Sequence, residues 1–267
     1  MLCHGGNKEN RGNIMISLEG KVVIITGGGR GIGFGLSTAV AKAGAKLVIT
    51  GRTESTLLAA KEKLESAYGC EVLCVAADGA DEAAIQNVID KTVERFGRID
   101  AVINNAQASA SGKMLVQHTK EDIDLAIYSG IYATFFYMQK AYPYLKESKG
   151  SVINFASGAG LFGRIAQSSY AAAKEGIRGL SRVAATEWAP DGIRVNVICP
   201  LAMTEGLQKF KEEYPERYEQ TIKGVPMGRF ADPEQDVGGL CVFLCSDLAS
   251  YITGETITLQ GGSGLRP

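Results

Sequence analysis

The chain has 267 residues, with 28 Lys and Arg against 29 Asp and Glu, for a formal charge of −1. A balance this close excludes a protein built to grip nucleic-acid backbones or anionic membranes, and 45% apolar residues exclude a disordered chain. Glycine is the outlier: 33 residues, where ~7% usage would give about 19. They follow no collagen-like period, so they serve turns and close backbone approaches.

Six cysteines (Cys3, Cys70, Cys74, Cys199, Cys241 and Cys245) form no CxxC pair, and His4 and His118 are the only histidines. That inventory predicts no metal site and small buried thiols instead. Residues 1–16 lack the apolar core of a signal peptide. Together these features predict a reducing, cytoplasmic setting.

Residues 1–17 are polar and rich in Gly and Asn, and are expected to form a flexible arm before a single domain over 18–267. The first strand, Val22–Ile25, runs into Thr26-Gly27-Gly28-Gly29-Arg30-Gly31-Ile32-Gly33. In such a turn Gly27 permits the sharp bend, Gly31 lets the backbone approach a pyrophosphate, and Gly33 lets the following helix pack close to the sheet. The helix N-terminus then offers free N–H groups to the phosphates.

A second strand, Leu47–Ile49, is followed by Gly51 and Arg52. An NAD site places a carboxylate here for the ribose 2′-hydroxyl. Arg52, with help from Arg30, instead suits a 2′-phosphate, so NADP is the expected cofactor and NAD the less favoured one.

Helix Glu54–Tyr68, strand Val72–Val75, helix Asp81–Phe96, strand Ala101–Ile103 and a long helix Gln117–Leu145 follow. Strand Ser151–Phe155 leads into Ser157, and helix Gln167–Trp188 carries Tyr170 and Lys174 one turn apart on one face. Strand Val195–Ile198, an amphipathic segment Thr204–Phe230 and strand Thr256–Leu259 complete the chain. The strands are short, apolar and β-branched, alternating with helices. The pattern predicts an α/β domain with an open, doubly wound, seven-stranded parallel sheet. Thr204–Phe230 is too long for a passive connection and is expected to be a lid, with Leu207, Phe210, Tyr214 and Tyr218 on one helical stripe.

Strand C-termini are where such sheets bind ligands, so Ser157, Tyr170 and Lys174 are the candidate catalytic residues. Oxidising an alcohol by hydride transfer needs a base for the hydroxyl proton. A tyrosine serves if its pKa falls, and Lys174 is the expected cation that lowers it. Ser157 would hydrogen-bond the reacting oxygen.

Over residues 18–262 the chain resembles the short-chain dehydrogenase/reductase family, in Thr26–Gly33, Asp78, Asn104-Asn105-Ala106, Ser157, Tyr170, Lys174, Pro200 and Gly261-Gly262. The resemblance implies a Rossmann-type fold, a homotetramer, Asp78 and Asn105 on the adenosine side, Lys174 on the nicotinamide ribose, and Met203 or Thr204 on the carboxamide. Three positions depart from the family pattern. Gln107 and Leu201 each stand where the family has Gly, and Gly130 stands where it has the Asn of a proton relay, with Ser129 or water as possible replacements.

Four blocks, Asn104–Gly112, Ile127–Phe135, Asn154–Gly163 and Cys199–Thr204, narrow the resemblance to bacterial 12α-hydroxysteroid dehydrogenases. These imply a bile-acid substrate interconverted between 12α-hydroxyl and 12-oxo forms with NADP. An apolar wall of Leu161, Phe162, Leu201, Met203, Leu207 and Phe210, with Gln107 among the candidate substrate residues, suits a rigid hydrocarbon such as a steroid, with ordinary core as the competing reading. The alternatives are a short-chain reductase of another carbonyl, such as a 3-oxoacyl thioester or a polyol product, using Lys209 and Lys211 for a phosphate arm, or a nucleotide-sensing scaffold without catalysis.

Overall fold

A computed structural model describes residues 16–264. The arm expected over 1–17 therefore lies, up to residue 15, outside the described residues. Seven strands form one parallel sheet: β1 (Val22–Thr26), β2 (Lys46–Gly51), β3 (Val72–Ala76), β4 (Ala101–Asn104), β5 (Ser151–Phe155), β6 (Arg194–Pro200) and β7 (Thr256–Leu259). Their order is β3-β2-β1-β4-β5-β6-β7, so the winding reverses between β1 and β4. The expected seven-stranded, doubly wound sheet is present as a single domain.

Burial of both sheet faces explains the unbroken apolar runs. Successive residues of one strand serve opposite cores. Val23, Ile25, Leu47 and Ile49 join one cluster with Leu36 and Val40 of α1 (Gly31–Lys42), Leu57 and Leu64 of α2 (Glu54–Tyr68) and Leu244 of α10 (Gly239–Cys245). Val22, Ile24 and Val48 join the other, with Ile85 and Val88 of α3 (Glu82–Phe96), Tyr137 and Leu145 of α5 (Ala133–Ser148) and Ala184 of α7 (Ser168–Trp188).

Two expected helices are corrected. The helix expected over Gln117–Leu145 starts at Lys120, because Thr119 caps α4 (Lys120–Ala126): its hydroxyl accepts from the Asp122 N–H at 3.3 Å while Asp122 accepts from the Thr119 N–H at 3.0 Å. A wider π-turn, Ile127–Tyr132, then separates α4 from α5. The lid segment holds two helices, α8 (Glu205–Glu213) and α9 (Pro215–Ile222), so the stripe from Leu207 to Tyr218 is broken. Pro215 has no N–H to continue the ladder and Tyr214 leaves helical geometry. The remaining helix, α6 (Gly158–Phe162), is a single turn after β5.

Candidate active site

A cleft of about 1080 Å³ opens at the C-terminal ends of β1 and β4, where the winding reverses. Its lining includes the turn Gly27–Gly33, Arg52, Asp78, Asn105, Gln107 and Thr204. The fit to a dinucleotide can be tested on the turn. Gly31 has φ +54, with only the Glu205 carboxylate oxygen, at 3.8 Å, within reach of an added Cβ, and a Cβ on Gly33 would lie 2.0 Å from the Gly27 carbonyl oxygen. Only glycine fits position 33, and the close approach is to the turn itself rather than to the sheet as expected. Helix α1 starts without a side-chain cap at Arg30, so its first N–H groups remain for an anion. The residues present fit a pyrophosphate.

Arg30 and Arg52 are exposed on the wall of this cleft, with no ion pair among the described residues. Asp78 lines the same wall, its carboxylate accepting from the Ala80 N–H at 3.1 Å. Asn105 pins β4 to β1: its Nδ2 donates to the Thr26 carbonyl at 2.9 Å, and its backbone N–H donates to Thr26 Oγ1 at 3.0 Å.

Ser157 ends the loop after β5, and its Oγ accepts from the Ala159 N–H at 3.1 Å. Ser157 lies close enough to the Tyr170 hydroxyl to lower its pKa. Lys174 is buried, its Nζ donating to the Phe155 carbonyl at 2.6 Å and standing 5.5 Å from the centre of the Tyr170 ring. Sequence placed these three groups together, and the fold does so.

Their electrostatics differ from expectation. Burial pushes the Tyr170 phenol above its ordinary value, against neighbouring Ser157, which lowers it. Burial brings the Lys174 ammonium down to about 7. In the chain by itself Lys174 does not lower the phenol, because the same apolar surroundings disfavour phenolate and ammonium alike.

Elsewhere the expected residues scatter. Leu161 packs on Ala156, Val197 and Cys199 as part of a small core cluster, while Phe162 is exposed. Leu201 and Met203 are half-buried on a backbone ladder, Met203 N–H donating to Ala231 at 2.9 Å. Thr204 Oγ1 caps α8 by accepting from the Leu207 N–H at 3.2 Å. Leu207 and Phe210 are half-buried on α8.

The Gln107 carboxamide fills the space beside Gly130: a Cβ there would come within 2.9 Å of Nε2. Ser129, the expected replacement for the relay Asn, instead donates to the carbonyls of Ala108 and Leu125, at 2.9 and 2.6 Å.

Sequence reasoning missed one buried polar chain. Asn104 Nδ2 donates to Asn154 Oδ1 at 2.8 Å, and Asn154 Nδ2 donates to Ser181 Oγ at 2.8 Å, tying β4, β5 and α7 together. Its signal was available, since two Asn interrupt apolar strands at positions that pair across the sheet.

Among the described residues no group of three His, Cys, Asp or Glu is placed to hold a metal ion, and no helix is long and apolar enough to cross a membrane. A turn that fits a pyrophosphate at the end of β1, and Ser157, Tyr170 and Lys174 at the end of β5 and the start of α7, point to a nucleotide-dependent oxidoreductase. A family model described as enoyl-(acyl carrier protein) reductase matches residues 27–263. The chain is 61% identical over 255 residues to a 12α-hydroxysteroid dehydrogenase of Clostridium sp., covering 93% of this chain and 98% of that one. It is 35% identical over 250 residues to a 3-oxoacyl-(acyl-carrier-protein) reductase of Thermotoga maritima, covering 92% and 98%. In structure it resembles an L-sorbose reductase of Gluconobacter frateurii complexed with NADPH and L-sorbose, with TM-score 0.89 and 28% identity over 95% of this chain and 100% of that one. The chain belongs to the short-chain dehydrogenase/reductase family and is an oxidoreductase.

Proposed function

We propose that this oxidoreductase uses NADP to interconvert the 12α-hydroxyl and 12-oxo groups of bile acids. The observation that carries the chemistry is buried Lys174, tied to the end of β5 through the Phe155 carbonyl and standing 5.5 Å from the centre of the Tyr170 ring, with Ser157 two residues further along the chain. The substrate reading rests on the 61% identity to a 12α-hydroxysteroid dehydrogenase.

In oxidation, Tyr170 takes the hydroxyl proton while the carbinol C–H bond breaks and its hydride leaves the carbon. Ser157 holds the reacting oxygen within reach of Tyr170. In reduction, Tyr170 returns the proton to the new alkoxide oxygen. When bound, NADP supplies the hydride acceptor and, in its oxidised form, a positive charge that offsets the burial cost of the phenolate. The turn Gly27–Gly33 and the first N–H groups of α1 would hold its pyrophosphate, with Asp78 and Asn105 on the adenosine side. Met203 or Thr204 would lie against the carboxamide. Arg52 with Arg30 supports NADP over NAD, because Gly51 offers no carboxylate to a ribose 2′-hydroxyl.

Exposed apolar side chains support an apolar substrate. Met114, Leu115 and Val116 on the loop after β4, and Phe162 and Ile165 before α7, all face solvent. The two segments are joined by the Gly112 N–H donating to Ala166 at 2.8 Å. Leu207 and Phe210 of α8 would cover the substrate as a lid, with Leu201 and Gln107 near the reacting end. A 3-oxoacyl thioester reductase is the second reading, favoured by the Thermotoga relative and by Lys209 and Lys211 on α8.

An apolar groove of about 440 Å³ between α5 and α7, with Phe135 and Val183 exposed, supports self-association of these helices in a homotetramer. The five described cysteines are not joined in disulfides, which supports a cytoplasmic setting.

The test is Tyr170→Phe. It should lower turnover of cholate by ~100-fold or more, the usual scale of general acid–base catalysis, and leave NADP affinity intact. Retained turnover would remove Tyr170 from the reaction.

A further inference from the structure

His118 lies outside every motif described above, yet its ring stands between the loop after β4 and the first turn of α7. Nδ1 lies 3.2 Å from the Met114 carbonyl oxygen and 3.0 Å from Ser168 Oγ. Nε2 lies 3.2 Å from the Ala110 carbonyl oxygen and 3.1 Å from Ser169 Oγ. Each nitrogen therefore meets one loop carbonyl, which can only accept, and one helix hydroxyl, which can also donate.

A neutral imidazole has one N–H and one lone pair. With the proton on Nδ1, the ring donates to Met114 and accepts from Ser169. With the proton on Nε2, it donates to Ala110 and accepts from Ser168. Either tautomer makes one bond to the loop and one to the helix, so the crosslink survives the choice. The N-cap residue of α7, Gln167, makes no side-chain cap of its own. Ser169 is buried and immediately precedes Tyr170.

We infer that His118 is a positioning residue: its ring locks the loop that carries Gln107 onto the turn that carries Tyr170, and so fixes the base relative to one wall of the substrate pocket. The inference rests on the proposed role of Tyr170. Small misplacements of a reacting group are costly, so loss of the lock acts on kcat.

The bonding pattern gives a non-additive test. Ser168→Ala and Ser169→Ala each leave one tautomer intact, so each alone should hold kcat for cholate within ~3-fold of wild type. Together they remove the helix side of both tautomers, and kcat should fall roughly 10- to 100-fold while the Kd for NADP stays unchanged. His118→Phe should match the double variant. His118→Gln, which keeps one donor and one acceptor, should recover most of the loss. A double serine variant with wild-type kcat, or a Gln variant as poor as the Phe variant, would overturn the lock. Should His118→Phe fail to fold, the serine series decides alone. Wild-type protein that does not oxidise cholate would instead overturn the functional reading, and the same series read on the alcohol it does oxidise would still test the lock.

Discussion

The carboxamide of Gln107 occupies the space that a side chain at position 130 would need, 2.9 Å from where a Cβ on Gly130 would sit. Two departures from the family pattern, a larger residue after Asn-Asn-Ala and a missing Asn in the helix, are thus one exchange of volume. The Nε2 group reaches towards the Ala126 carbonyl at 3.5 Å, and Oε1 is buried without a partner among the described residues. Gly130→Asn should therefore overpack the site and cost about 1–2 kcal/mol, a fall in Tm of a few degrees for a domain this size. Adding Gln107→Gly should restore most of it. Thermal unfolding of both single variants and the double closes the cycle, and strictly additive losses would show that the residues do not share the space.

Lys174 makes stability depend on pH. Its ammonium sits at about 7 in the folded chain against an ordinary value of 10.5. Between those values the unfolded chain holds a proton that the folded chain has released, so stability rises with pH across that window, and the burial cost is full below it. Denaturant unfolding should show wild type gaining about 2 kcal/mol between pH 7 and 9 relative to Lys174→Met, from ~1.4 kcal/mol per pH unit. The comparison cancels the buried thiols Cys241 and Cys245, whose raised values act in the opposite sense at higher pH. Parallel profiles would mean that Lys174 keeps its charge in the fold.

Arg52→Ala should weaken NADP binding by about 1.5–3 kcal/mol, the range for a hydrogen bond to a charged group. NAD binding should barely change. Titration of both nucleotides by intrinsic fluorescence separates the cases, and equal losses would remove the 2′-phosphate role.

The lid can be tested at Phe210, whose ring packs on Tyr214 with centroids 5.8 Å apart. None of the residues of α8 or α9 is fully buried, so truncating Phe210 should leave Tm nearly unchanged. If α8 closes over the steroid, Phe210→Ala should raise KM for bile acids by roughly 10–200-fold, from 1–3 kcal/mol of apolar contact. An unchanged KM would leave α8 out of the pocket.

Strand and helix positions were legible because burial on both sheet faces enforces unbroken apolar runs, and Val22 to Thr26 alone shows it. The Gly27–Gly33 turn and the Ser157, Tyr170 and Lys174 group were legible because their chemistry fixes residue type and spacing. Tertiary contacts between distant residues were not. The Gln107–Gly130 exchange and the His118 bridge need the fold to bring loop and helix together. The pKa shift of Lys174 needs knowledge of its burial, and the break at Tyr214 was hidden by an apolar stripe that ignored Pro215.

The most direct test of the proposed function is the position of attack. Deoxycholate and cholate carry a 12α-hydroxyl, whereas chenodeoxycholate lacks it. With NADP, the protein should form NADPH from cholate and deoxycholate, yield 12-oxo products by NMR, and leave chenodeoxycholate untouched. Oxidation of chenodeoxycholate, or of deoxycholate at its other hydroxyl, would contradict the 12α assignment.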